Sequence, residues 1–294
     1  GEDNLEYVKK QIAYPLSVYD RIPPTPGDNI DWNPSCGLRR YDELDFVGTQ
    51  NGAIIDLEGI TGQEYYHDLV ERAANHIRSG QPRFTDGTLV RLRPVCHTLW
   101  ADDLYMGLAF MTRYGASRKD ADMIKDAVRQ VDCFNRYLWN PATKLYCHGY
   151  YEGRGQAGCH WGRCNGWIMK ATCELLDVLD PSGEDFARIL SYLIRQIDGL
   201  KAYQCNDGMW RQVIDDAGSY EETSCTVMFA GAIAHAVNKG WIGKKYAPMA
   251  LKAWEKVKKS YIVNGRVQNV CVGTSLKDDE NYYLGRPVSG NDAH

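Results

Sequence analysis

Residues 98–107 read TLWADDLYMG, and this stretch sets two adjacent carboxylates and a tryptophan at the point where a loop becomes a helix. Apolar residues follow at helical spacing, which predicts one buried helical face. Those residues are Leu104, Leu108 and Met111. Asp102 and Asp103 therefore lie at a helix N-terminus, where a single aspartate is usually an N-cap. Two carboxylates exceed what one cap needs, and the ring of Trp100 beside them is a common platform for a sugar.

Helical hairpins recur along the rest of the chain. In each, a helix ends near a glycine and a second helix begins a few residues later, as in a repeat built from helix pairs. The junctions lie at Ile60–Tyr66, Tyr114–Ser117, Asp180–Glu184 and Lys239–Gly243. The first helices are uniformly apolar and the second are amphipathic, so we predict an inner and an outer helical layer. No linker divides the chain, and we predict one all-α domain over residues 1–294.

Long segments rich in Gly, Asn, Asp, Pro and aromatic residues separate the hairpins, at about 80–99, 140–163, 201–220 and 262–294. Loops of this length are usually functional or disordered, and their aromatic content favours function. If the inner helices run parallel, these loops meet at one end of the fold, and we expect that end to be the mouth of the site. Alternating patterns within 88–91 and 266–272 predict short strands.

The composition excludes several classes of function. The chain has 44% hydrophobic and 24% charged residues and a net charge of −4, which is ordinary for a globular protein. Acidic and basic residues are mixed and no apolar run reaches the ~18–20 residues of a membrane span, so we predict no nucleic-acid and no membrane partner. The 19 Tyr and 8 Trp against 6 Phe favour rings with a polar handle, as in carbohydrate clefts and protein interfaces.

The ten cysteines do not indicate a disulfide framework. Cys173 and Cys225 lie in helical contexts, where a small buried thiol is usual, so we favour reduced cysteines. The Cys147-His148 and Cys159-His160 pairs lack the spacing of zinc ligands, and we predict no metal and no cofactor. The glycine-rich loop 153–158 lacks the context of a phosphate-binding loop and is interpreted as a flexible rim.

An acidic or polar–aromatic cluster precedes each inner helix. The clusters are Tyr41–Phe46, Trp100–Asp103, Trp161–Trp167 and Asp215–Ser224. Any one could be helix capping, with Glu222 or Asp45 favouring the positive helix end. Four such clusters at one end of a barrel would instead form a pocket of carboxylates, arginine and tryptophan. Paired carboxylates with aromatic platforms are typical of a site that cleaves glycosides.

These motifs, in this order, resemble the unsaturated rhamnogalacturonyl hydrolases of glycoside hydrolase family 105 and the related unsaturated glucuronyl hydrolases of family 88. The motifs are Leu44-Asp45, Trp100–Met106, His148-Gly149-Tyr150, Trp161-Gly162-Arg163, Gly166-Trp167, Gly208–Val213 and Glu222-Thr223-Ser224. The resemblance runs from about Asp45 to the C-terminus. It implies an (α/α)6 barrel of six helical hairpins, which we expect to be incomplete at the termini, and a periplasmic or secreted mature chain rather than a cytoplasmic one.

The resemblance also implies a reaction. The substrate would be an oligosaccharide left by a polysaccharide lyase, with a 4,5-unsaturated uronic acid at its non-reducing end. The enzyme would hydrate the C4=C5 bond, with Asp102 donating a proton to C4 and activating water for C5, and with Asp45 as the second catalytic aspartate. The residues implied or expected to bind the substrate are Trp100, Arg91, His148, Trp161, Arg163, Trp167 and Met106.

Alternatives remain at this point. Asp45 and Asp102 could be the acid–base pair of an (α/α)6 glycosidase that cleaves a saturated linkage. The chain could also be a sugar-binding relative without catalysis. Without the resemblance, His148 could be a loop histidine satisfied by backbone groups, and Arg163 could form a salt bridge with an exposed aspartate.

Overall fold

The computed structural model describes residues 2–18, 21, 40–41, 43–62 and 66–289. Helices dominate these ranges: α1 (Glu2–Ser17), α2 (Leu44–Thr61), α3 (His67–Asn75), α4 (Asp102–Arg118), α5 (Ala121–Leu138), α6 (Gly162–Leu176), α7 (Glu184–Tyr203), α8 (Thr223–Asn238), α9 (Ala247–Ser260) and α10 (Glu280–Leu284). Of the sequence motifs, Asp42, the centre of the turn at 63–65 and residues 290–294 lie outside the described ranges.

The strands are two or three residues long: β1 (Thr98–Trp100), β2 (Trp139–Asn140), β3 (Leu145–Tyr146), β4 (Gly149–Tyr151), β5 (Gly155–Ala157), β6 (Trp210–Arg211), β7 (Glu221–Glu222), β8 (Ile262–Val263), β9 (Arg266–Val267), β10 (Val270–Cys271) and β11 (Val288–Ser289). They form a three-stranded sheet β1-β4-β5 and four pairs, β2-β3, β6-β7, β8-β9 and β10-β11. The predicted strand at 266–272 is therefore two strands, separated where Asn269 takes a left-handed φ of 60°. At 88–91 there is no strand but isolated bridges: Leu89 pairs with Arg83, and Arg91 is also a bridge residue.

The chain forms two compact units. One comprises Gly1–His97 and Met106–Ala127, and the other comprises Thr98–Tyr105 and Val128–His294. The prediction of one domain over the whole chain stays a prediction. In the described ranges no helix is both long and apolar enough to cross a membrane, and the nine cysteines found there are free thiols.

The larger unit confirms the inner and outer layers. Helix α6 packs against α7 and α8, and α8 packs against α9. Twelve of the fifteen residues of α6 are buried, whereas three of the fourteen residues of α9 are. Cys173 on α6 and Cys225 on α8 are buried as expected, and burial raises the pKa of the Cys173 thiol to about 12. These thiols pack as small apolar groups.

Of the first two predicted helical junctions, the structure confirms one and places the other elsewhere. Helix α2 ends at Thr61 and Gly62 follows in a left-handed conformation, as the sequence predicts. The turn predicted at Tyr114–Ser117 is wrong, because α4 continues to Arg118. Gly115 lies inside this helix, where a Cβ would stand 2.5 Å from the Ile124 side chain. Gly115 therefore serves close packing in this unit and does not end the helix.

In the smaller unit, α2 approaches the backbone of the Met106–Arg118 part of α4 very closely. A Cβ on Gly48 would stand 1.4 Å from the carbonyl oxygen of Met106, so a side chain at this position requires the helices to separate. We expect Gly48→Ala to destabilise the protein by about 1–3 kcal/mol, as overpacking does. Thermal unfolding followed by circular dichroism measures the loss.

Gly59 on the same helix provides the matched control, because it is exposed and nothing lies within 4 Å of the position that a Cβ would take there. Gly59→Ala should stabilise the helix by about 0.5–1 kcal/mol through its higher helix propensity. Equal effects of the two substitutions would contradict the close approach at Gly48.

Candidate active site

Strand pairing brings Asp102 and His148 together in the larger unit. Strands β1 and β4 run antiparallel with Trp100 opposite Gly149. One position further, the Ala101 amide donates to the carbonyl oxygen of His148 at 2.8 Å. Because α4 begins at Asp102, directly after this ladder, the first carboxylate of the helix lies beside the imidazole.

The Asp102–His148 pair is the centre of the site. The Oδ2 atom of Asp102 lies 3.2 Å from Nε2 of His148, and the histidine is fully buried while 13% of the aspartate side chain is exposed. The ring of His148 packs against Trp100 at 5.6 Å and Trp161 at 4.8 Å between centroids. Its Nδ1 atom lies 2.7 Å from the hydroxyl of Tyr283. Both ring nitrogens therefore contact side chains, and the interpretation of a histidine satisfied by the backbone is wrong.

Trp161 and Arg163 form the start of helix α6. Trp161 is buried at the N-cap position, and the Arg163 guanidinium lies 4.6 Å above its ring. The two terminal nitrogens of Arg163 donate to the carbonyl oxygens of Cys271, at 2.6 Å, and Val272, at 3.0 Å. Arg163 therefore holds the end of β10 and the residue that follows it instead of pairing with an exposed aspartate. Its binding of a substrate carboxylate stays a prediction.

An aromatic stack lies about one turn after the starts of helices α4 and α6. Trp167 of α6 packs face to face on Tyr105 of α4, with centroids 4.6 Å apart and planes 18° apart. Both rings are half-buried. The Lys170 amine lies 5.0 Å from the Tyr105 ring and bonds Glu174 at 2.9 Å. Trp167 was a sequence candidate, whereas Tyr105 was missed because nothing in its local sequence indicates a stacking partner.

The remaining sequence candidates lie in the smaller unit. Arg91 is buried and donates to Oδ2 of Asp45 at 2.7 Å, and its other terminal nitrogen lies 3.6 Å from Glu43. Asp45 is in the first turn of α2 and 38% of its side chain is exposed. Met106 follows on α4 and is half-buried. Arg91 and Asp45 thus form an ion pair, and their roles toward a substrate stay predictions.

The second histidine of the Cys-His pairs has a structural partner. Nδ1 of His160 lies 2.7 Å from Asp215, and Nε2 lies 3.2 Å from the hydroxyl of Thr143 and 3.8 Å from the sulfur of Cys147. Within the described ranges no cluster of three or more His, Cys, Asp or Glu side chains has a metal-binding arrangement. The His160–Asp215 pair connects the loop after Val213 to the turn that joins β2 and β3, because His160 also contacts Thr143 in that turn.

We expect the His160–Asp215 ion pair to make stability depend on pH. Burial alone would lower the pKa of His160, but the hydrogen bonds to Asp215 and Cys147 and the Asp215 charge raise it to about 9. A histidine with a raised folded-state pKa stabilises the fold below the unfolded pKa of ~6.5, and that contribution is lost as the pH rises through ~9. The melting temperature of His160→Gln should therefore fall furthest below wild type near pH 6, and the gap should narrow by pH 10. A gap independent of pH would contradict this assignment.

The helical fold, the carboxyl–imidazole pair and the tryptophan walls define a glycoside hydrolase. The Glycosyl Hydrolase Family 88 model matches residues 30–294, and the chain belongs to this family. This match confirms the family resemblance drawn from the motifs, and it confirms that the chain is an enzyme of the glycoside hydrolase class.

The chain is similar to bacterial relatives. It is 28% identical to the unsaturated rhamnogalacturonyl hydrolase YesR of Bacillus subtilis over 78% of this chain and 67% of the relative, so it spans about two thirds of that protein. A family 105 glycoside hydrolase from C. acetobutylicum superposes with a TM-score of 0.79 at 23% identity, over 85% of this chain and 76% of the other. A family 88 structure from Bacteroides vulgatus gives 0.72 at 17% identity, over 97% and 83%. These likenesses, with the predominantly helical structure, confirm the predicted all-α (α/α)6 fold class.

Proposed function

We propose that this protein removes a 4,5-unsaturated uronic acid from the non-reducing end of oligosaccharides produced by polysaccharide lyases. The observation that carries the proposal is the partly exposed carboxyl of Asp102, held at 3.2 Å by the fully buried His148. Family membership and the name of the Bacillus subtilis relative support the same reaction class. A carboxylic acid held by an imidazole that is itself packed between apolar rings is suited to proton transfer to carbon.

In the proposed reaction, Asp102 enters as the neutral acid. Its proton goes to C4 while the π electrons of the C4=C5 bond form the new C–H bond, and positive charge develops at C5 beside the ring oxygen. The resulting carboxylate takes a proton from the water that attacks C5, which restores the acid. The hemiketal at C5 then opens, and the hemiacetal left at C1 releases the neighbouring sugar. One water is consumed and no redox partner is required.

The surrounding residues have proposed roles in binding. Trp100 and Trp161 pack against the ring of His148 and are proposed to offer apolar faces to the sugar. The Tyr105–Trp167 stack offers a half-buried aromatic face for the released sugar. Arg163 is proposed to recognise the polar groups of the uronic acid.

The proposal is tested by the ultraviolet absorbance of the conjugated C4=C5 bond. Purified protein is mixed with lyase-treated pectin, glycosaminoglycan and ulvan oligosaccharides in separate reactions. Loss of absorbance with release of the neighbouring sugar is expected for at least one of them, and the best substrate identifies the polymer. Cleavage of saturated aryl glycosides without loss of the double bond, or tight binding without product, would overturn the proposal.

A further inference from the structure

The segment from Val270 to Ser289 supplies a side chain to the buried side of the site. Tyr283 of α10 is completely buried, and its ring packs edge-on against His148 at 5.5 Å between centroids. Gly158, with a left-handed φ of +75°, makes room for it, because a Cβ there would stand 2.7 Å from the Tyr283 hydroxyl oxygen and 3.0 Å from Cβ of His148. The backbone at the end of the β4–β5 ladder, where His148 and Gly158 lie, thus leaves room for this phenol.

The hydrogen bonds of the Tyr283 hydroxyl show which group its proton is donated to. Its oxygen accepts the backbone N–H of Lys277 at 3.1 Å and lies 2.7 Å from Nδ1 of His148. Burial raises the pKa of the Tyr283 hydroxyl, so its proton is retained. If Nδ1 carried the hydrogen of the imidazole, the buried phenol proton would lose its acceptor, which costs about 1–3 kcal/mol. The phenol therefore donates to Nδ1, and the ring hydrogen resides on Nε2.

We propose that Tyr283 is a positioning residue, which acts on Asp102 through the tautomer of His148. With Nε2 protonated, the imidazole of His148 donates a hydrogen bond to Oδ2 of Asp102. A carboxyl proton on Oδ2 that points at the imidazole would clash with this N–H. The transferable proton then resides on the other carboxyl oxygen. In the opposite tautomer, Nε2 would accept that proton and draw it away from the substrate. The tautomer assignment is independent of the proposed function, whereas its effect on turnover rests on it.

The first experiment needs no substrate. Protein labelled with 15N-histidine is examined by long-range 1H–15N correlation spectroscopy, and the His148 signals are assigned by their loss in His148→Gln. Wild type is expected to have a protonated Nε2 and an unprotonated Nδ1, and Tyr283→Phe should lose this single tautomer. A protonated Nδ1 in neutral wild-type His148 overturns the proposal, whether or not the variant folds. An inactive protein with the expected tautomer would instead count against the proposed function alone.

The second experiment separates positioning from structure. Tyr283→Phe keeps the ring and is expected to lower kcat on the best oligosaccharide by about 10–100-fold, as loss of an orienting partner does, with KM changed less than about threefold. Tyr282→Phe is the matched control, because its half-buried hydroxyl accepts the Ser275 amide, at 3.0 Å, and it should retain wild-type kcat. An unchanged kcat in Tyr283→Phe, or equal losses in both variants, would contradict the role.

Discussion

Asp102→Asn is expected to abolish turnover while leaving the fold intact. The asparagine carbonyl can still accept the Nε2–H of His148, so the 3.2 Å contact and its packing are preserved. The amide has no proton to donate to C4 and cannot activate water, and loss of both functions should lower kcat by about 10³-fold or more. Absorbance loss on the best oligosaccharide substrate measures this effect, and the melting temperature should stay within about 2 °C of wild type.

The control for this substitution is another aspartate in the first turn of a helix. Asp122 lies in the first turn of α5, and 92% of its side chain is exposed. Asp122→Asn should therefore retain full activity. Turnover by Asp102→Asn at more than about a tenth of the wild-type rate would remove Asp102 from the role of proton donor.

Glu222→Ala is expected to cause the largest loss of stability. Glu222 is 1% exposed and its two carboxylate oxygens accept hydrogen bonds from four donors. These donors are the Ser224 amide at 3.0 Å, the Ser224 hydroxyl at 2.9 Å, the Cys225 amide at 2.7 Å and the Cys271 amide at 2.8 Å. Alanine leaves buried amides without an acceptor, at a cost of about 3–4 kcal/mol. The carboxylate thus caps α8 and also ties β10 to it.

Thermal and urea unfolding measure this loss, which corresponds to a fall in melting temperature of roughly 5–10 °C. Glu221→Ala is the matched control, because Glu221 is half-exposed and its carboxylate contacts side chains alone: the Tyr261 hydroxyl, at 3.5 Å, and the side chains of Asp207 and Cys205. Its loss should cost less than about 1 kcal/mol. Similar melting temperatures for the two variants would contradict the anchoring role of Glu222.

The helix-capping interpretation of the acidic clusters was correct for one cluster and incomplete for another. Glu222 caps the helix that follows it, as a local pattern of acid before an apolar run predicts. Asp102 also begins a helix, but its partner is a histidine 46 residues away, which local spacing does not reveal. Likewise, Arg163 follows a tryptophan as the motif requires, yet its donors are directed to carbonyl groups 108 and 109 residues further on.

The sequence by itself determined the helical layers, the entry points of the inner helices and the identity of the Asp102 and His148 motifs. These features depend on periodicity and on side-chain chemistry within a few residues, where burial follows directly from the pattern. Only the tertiary structure decided that α4 extends past Gly115 and that Tyr105 stacks on Trp167. It also decided that Tyr283, 135 residues after His148, forms a hydrogen bond with the histidine that contacts Asp102. Such contacts depend on which distant backbones approach closely enough, and that is determined by the packing of the whole unit.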